Sequence, residues 1–349
     1  MATAPLAIRA AGMVTGVGLD WASSCAAIRA GLNNFGETRF IAKGGDWIVG
    51  GEVPLDEPWR GATKLAKMAA QAIGDCLAKT AELDPNETAL LLCVAEGDRL
   101  GRLAELGSPL FFAIEQELGI SFHRASRVLA EGRVGGAVAL HQARRLIGQD
   151  GVKRALVAGV DSYLNGATLM AFDKADRLLT SRNSNGFIPG EAAAAVLVER
   201  AGAGAGGTLA VCGLGFAREI AAISAADPLN ADGLVAAIRA ALTEAGMDLG
   251  DLDYRNTDVS GEQYGFKEAA LALSRLLRKR KEAFDLWHAA DCVGEVGAAA
   301  VPVMLATTLA AMNDGYAPGP RALLHAGNDD GRRAALIVEG VPLAQAAAA

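Results

Sequence analysis

Arg133-Val134-Gly135-Gly136-Ala137 opens a helix-period pattern that ends near Ile147, and after a Gly-containing turn Arg154-Ala155-Leu156-Val157-Ala158-Gly159 reads as a buried strand. The same order recurs downstream. Glu295-Val296-Gly297-Ala298-Ala299 opens a second pattern ending near Met312, followed by Arg321-Ala322-Leu323-Leu324-His325-Ala326-Gly327. The helix heads are 162 positions apart and the strands 167, so the later copy carries a turn longer by five residues, around Tyr316 to Pro320. Loops absorb such changes at little entropic cost. Upstream, the helix and strand of Leu65 to Val94 match Leu234 to Ser260, and Leu6-Ala7-Ile8 matches Leu209-Ala210-Val211. Ala201 to Gly207, all Ala and Gly, reads as the flexible join. The expectation is a duplicated α/β unit, residues 1–200 and 207–349.

Working outward, strand and helix signals alternate along all 349 residues, which predicts an α/β fold with mostly parallel strands. Strands are expected at Ala89 to Val94, Ala155 to Val160, Ala193 to Val198, Thr208 to Cys212, Ala322 to His325 and Ala334 to Val338. Helices are expected at Gly61 to Thr80, Gly233 to Ala245 and Phe266 to Arg280. The run Arg278-Lys279-Arg280-Lys281 would end the last of these, where the helix dipole favours cations.

Hydrophobic residues make up 51% of the chain and charged residues 21%, so it can bury a core and is not a disordered polyelectrolyte. A net charge of −7 argues against nucleic acid, which needs a clustered basic footprint. Five cysteines, Cys25, Cys76, Cys93, Cys212 and Cys292, lack C-x-x-C spacing and read as reduced thiols rather than a zinc site. The start lacks the pattern of a secretory signal, and no apolar run is long enough for a membrane span. A cytoplasmic protein is expected. Gly12-x-x-x-Gly16-x-Gly18 misses the dinucleotide fingerprint, and no cofactor is expected. Asp258, Glu262, Asp291 and Glu295 would make a hard-cation site with Arg133 in its midst, an electrostatic mismatch, so no metal is expected either.

Several segments resemble the thiolase superfamily and, within it, the β-ketoacyl-acyl-carrier-protein synthases. Gly12 to Gly18, with Ala27-Ile28-Arg29-Ala30-Gly31, is similar to the family's opening; Ala155 to Ser162 and Asn185-Gly186-Phe187-Ile188-Pro189-Gly190-Glu191-Ala192-Ala193-Ala194 are similar to two of its strand entries. The resemblance implies a thiolase-like fold, with two α/β halves in an αβαβα arrangement. It also implies a Cys nucleophile at a helix head and two histidines. Carried over position by position, the nucleophile falls on Arg133, the first His on Asp258 and the second on Asp291; the family's glycine-rich loop falls on Asn328 to Arg333. No thiolate can form at an arginine.

Arg133, Asp258 and Asp291, with Asp329, are therefore the candidate site: vestigial catalytic positions and potential ligand-binding groups. A guanidinium at a helix N-terminus is opposed by the dipole, so a carboxylate partner is expected, from Asp258, Asp291 or both. Cys292 and His288 read as ordinary structural residues rather than a displaced nucleophile and base.

The leading expectation is a catalytically degenerate homologue acting as a binding, scaffold or assembly component, chain-length-factor-like or secretion-associated. Expected partners are a second copy in a homodimer, an acyl carrier protein, an active synthase or a secretion-system cargo. The strand Leu156 to Val160 is the expected dimer edge. Two alternatives stand beside it: an acyltransferase of the 3-oxoacyl synthase type with relocated residues, and a carboxylate binder using Arg133.

Overall fold

The computed structural model describes residues 5–80, 83–149, 151–202 and 207–341. In chain order the strands are β1 (Leu6–Thr15), β2 (Gly36–Ile41), β3 (Trp47–Gly50), β4 (Thr88–Cys93), β5 (Arg127–Leu129), β6 (Arg154–Ser162), β7 (Glu191–Arg200), β8 (Thr208–Arg218), β9 (Tyr254–Thr257), β10 (Leu286–His288), β11 (Arg321–Gly327) and β12 (Arg332–Val341). The helices are α1 (Trp21–Arg29), α2 (Gly61–Ala78), α3 (Ser108–Leu118), α4 (Gly135–Leu146), α5 (Gly166–Lys174), α6 (Asp232–Ala245), α7 (Gln263–Leu276), α8 (Ala290–Val293) and α9 (Ala300–Asn313).

Ten strands form one sheet in the order β10-β9-β11-β12-β8-β1-β7-β6-β4-β5, with β2 and β3 a separate hairpin. At its centre β1 and β8 pair antiparallel, Leu6 opposite Val211, Ala7 opposite Ala210 and Ile8 opposite Leu209. These are the two triplets that the repeat equates, so an approximate two-fold axis passes between Ala7 and Ala210. Reading outward from it, each side presents the same succession of strands. Residues 203–206 of the expected join lie outside the described residues.

The sheet is mixed, which corrects the expectation of mostly parallel strands. Parallel pairs are confined to β5-β4-β6 and β10-β9-β11, and the pairs between them run antiparallel. Only four residues, 328–331, join β11 to β12, too few for the crossover a parallel pair requires. A second correction concerns β6. It pairs with β7 on one side and β4 on the other, so Leu156 to Val160 is interior and offers no free edge; β5 and β10 end the sheet. The third concerns the basic run: α7 stops at Leu276 and Leu277 is extended, so Arg278 to Lys281 lie beyond the helix.

Among the described residues three of the four buried apolar clusters are layered on the sheet, the fourth gathering Tyr163, Phe172 and Phe187 around α5. The middle layer joins α4 and α9 to the inner faces of both halves, with Ile8, Ala139, Leu140, Val211, Val301 and Leu336 among its members. One outer layer packs α2 and α3 on the first half and another packs α6 and α7 on the second. Every residue of α9 from Ala300 to Ala311 is buried, as expected of a helix apolar all round. Pro302 falls in its first turn, where no intrahelical N–H is needed. Close approach of α4 to α9 requires Gly136, since a Cβ there would lie 2.7 Å from Cβ of Val301.

Candidate functional site

The two helix heads meet near the molecular axis. A 3-10 turn, Gly132–Val134, leads into α4, and another, Gly297–Ala299, leads into α9. Each is tied to the opposite half by a side chain at the end of an equivalent strand. Asn328, just past β11, accepts from Val134 N at 3.2 Å and donates to the Glu131 carbonyl at 2.8 Å. Asp161, near the end of β6, accepts from Ala298 N at 2.9 Å while Arg99 clasps both its oxygens at 2.7 Å. Gly132 has φ +59°, and a Cβ there would sit 2.2 Å from Oε2 of Glu96, so glycine is required for the chain to enter α4 this way.

From this head Arg133 reaches across to the other half. Its Nη1 donates to Glu295 Oε2 at 3.2 Å, its Nη2 donates to Asp329 Oδ1, and its Nε lies 3.8 Å from Asp258 Oδ2. Glu295 is the repeat equivalent of Arg133, 162 positions on, so the ion pair joins the two halves through corresponding residues. Only 2% of the Glu295 side chain is exposed; its oxygens also accept from Gly297 N at 2.9 Å and Ser260 Oγ at 2.7 Å.

Asp329 bridges Arg133 to Arg177, which in turn forks onto Glu262 at 2.7 and 2.6 Å. The Arg177 guanidinium also covers the rings of Phe172 and Phe187. Nearby, buried Arg333 holds Glu268 at 2.8 Å and Tyr264 OH at 2.9 Å. Forked guanidinium–carboxylate contacts of this kind restore the hydrogen bonds given up on burial.

Electrostatics follow from the geometry. Burial works against the Arg133 charge, and Asp329 and Glu295 more than offset it, so it is firmly cationic. Burial would raise the Asp329 carboxyl, yet Arg133 and Arg177 together hold it well below the usual carboxylate range. Asp258 behaves oppositely: burial pushes it up to about 6, with Arg133 and the Gly327 N–H only partly opposing. His325, on β11 and facing the same cavity, is lowered to about 3 by burial and by Arg255 and Arg333, and so stays neutral.

Of the four residues singled out by sequence, the fold brings together Arg133, Asp258 and Asp329. Asp291 is a correction. It lies on α8 with its side chain 77% exposed, beside His288 Nδ1 at 3.4 Å and outside the cluster. Gly294, at φ +77°, ends α8 and redirects the chain, so the carboxylate delivered to Arg133 is Glu295. Sequence reasoning missed the structural roles of Glu295, Arg177, Glu262 and His325. The internal repeat held the signal for Glu295, because it aligns that residue with Arg133. None of the five thiols lines the cavity beside Arg133. Cys292 is buried with Sγ 3.9 Å from the Ile28 carbonyl, and burial raises its thiol. The cavity itself is about 50 Å³, room for water rather than for the roughly 300 Å³ or more that a small-molecule pocket offers.

A model of the β-ketoacyl synthase N-terminal domain matches residues 135–203. A putative mitochondrial 3-oxoacyl-[acyl-carrier-protein] synthase of Schizosaccharomyces pombe is 27% identical over 183 residues, 47% of this chain; the chain spans 43% of that relative's length. Among solved structures, a chain of the ketosynthase ApeO in complex with its chain length factor ApeC, from Xenorhabdus doucetiae, superposes with TM-score 0.75 at 16% identity, covering 97% of this chain and 98% of that one. The ishigamide ketosynthase/chain length factor gives 0.73 at 21% identity, covering 97% and 99%.

Proposed function

Since the chain is a ketosynthase-like protein with the thiolase-like fold, we propose that it serves as a non-catalytic scaffold or assembly subunit, pairing with a second chain and engaging partners without forming an acyl intermediate. One observation carries the reading: Arg133, bound by Glu295 and Asp329, fills the helix head that a nucleophile would need. A guanidinium cannot attack a thioester, and no thiol reaches its place. The neutral His325 has no nucleophile to serve.

The superposed structures include a ketosynthase in complex with its chain length factor, which supports a partner role for this chain. In the simplest case the partner is a second copy. An active synthase or an acyl carrier protein fits the same reading. The Arg133 site is a poor carboxylate binder, because its own carboxylates already occupy the guanidinium and the remaining space is about 50 Å³.

The test is intact-mass spectrometry after incubation with hexanoyl-CoA and with malonyl-CoA. The chain is expected to keep its mass and to release no carbon dioxide from malonyl-CoA. A stoichiometric acyl adduct would overturn the reading and favour an acyltransferase with relocated residues.

A further inference from the structure

A second cavity, of about 330 Å³, lies between α1, β10 and the loop after α9, and it adjoins a recess of about 470 Å³ with which it shares Cys25, Arg29 and Tyr316. Both are larger than the space beside Arg133, and both fall in the size range of small-molecule sites. One wall of the first carries the rings of Trp287 and Tyr316, with buried Tyr254 behind them. Arg29 lies 4.2 Å over the Tyr316 ring, Tyr316 stacks on Trp287 at 6.4 Å and 28°, and Trp287 meets Tyr254 at 4.5 Å.

One polar group there is unspent. Arg29 forms no ion pair among the described residues, although the chain is acidic overall. His288 Nδ1 lies 3.4 Å from Asp291 Oδ1 and has no exposed surface to offer a ligand. Asp291, displaced from the Arg133 cluster, lines this cavity and disfavours an acid beside His288, directing an anionic group toward Arg29.

We propose that this cavity binds a small planar aromatic carboxylate. Its ring lies against Trp287 and Tyr316, and its carboxylate takes the guanidinium of Arg29. A guanidinium already stacked on an aromatic face is held in place for a forked carboxylate contact, so little further ordering is needed. The site is separate from the Arg133 cluster and does not depend on the function proposed above.

Indole-3-acetate is the probe, followed through the indole N–H resonance of Trp287, assigned with Trp287→Phe. A saturable shift with Kd below about 1 mM is expected. The neutral indole-3-acetamide is expected to bind at least tenfold more weakly to the unaltered protein. Arg29→Gln, at an exposed position, is expected to lose tenfold or more for the acid, whereas Arg124→Gln, the same charge change at an exposed position in the loop before β5, leaves that affinity unchanged. Absence of a saturable shift, equal binding of acid and amide, or full affinity in Arg29→Gln would each overturn the proposal.

Discussion

Asp258 and Asp329 flank the same guanidinium and are pushed in opposite directions, because Asp329 takes two arginines directly while Asp258 keeps only a 3.8 Å approach and one backbone donor. For Asp258 the folded carboxyl titrates at about 6 rather than the ordinary 3.8, so between those values the native chain retains a proton that the unfolded chain has lost. Stability therefore falls as pH rises through that window, and the penalty is complete above it. Asp258→Asn, which keeps an acceptor for Gly327 N–H, is expected to stabilise the protein at pH 8 by on the order of 3 kcal/mol, and by almost nothing near pH 3.5. Urea unfolding at the two pH values checks this; equal effects at both would refute it. Asp329 contributes with the opposite sign, present above its unfolded pKa and lost as pH drops below it, so Asp329→Asn should be most harmful at neutral pH. At this scale the sequence disclosed that Arg133 lacks nucleophilic chemistry and needs an anion. It did not disclose which anion, since Asp291 and Glu295 are separated by one glycine turn whose positive φ decides which of them faces inward.

The fold at the scale of elements was largely legible, because buried strands and helix heads repeat in order and the repeat fixes which strands correspond. The direction of strand pairing was less so. Apolar runs buried on both faces read alike whether their neighbours run parallel or antiparallel, and only the short β11–β12 link betrays the difference. Likewise the Phe266 to Arg280 pattern continued on paper beyond the point where α7 stops, since helix periodicity marks ends poorly. The contact of α4 with α9 rests on Gly136, and Gly136→Ala would drive a methyl into Val301. A loss of about 1 to 3 kcal/mol is expected by thermal or urea unfolding. A neutral result would mean that the two helices do not meet as closely as described.

For the whole molecule, the approximate axis between Ala7 and Ala210 brings equivalent helix heads together and leaves β5 and β10 as the outer strands. Unpaired sheet edges invite a further chain. Light scattering is expected to give twice the chain mass of 35.8 kDa; a monomer would dismiss the homodimer and leave a different chain as partner. The ion pair between the heads joins one half to the other through equivalent residues. It is tested most directly by a double-mutant cycle on stability with Arg133→Met, Glu295→Gln and the pair. Each single change strands a buried charge or polar group and should cost about 3 to 5 kcal/mol, whereas the double variant should cost clearly less than their sum, with a coupling of about 2 kcal/mol or more. Strictly additive losses would mean that Arg133 and Glu295 do not act as a pair, and the proposal that a charge cluster stands in place of a catalytic centre would no longer stand.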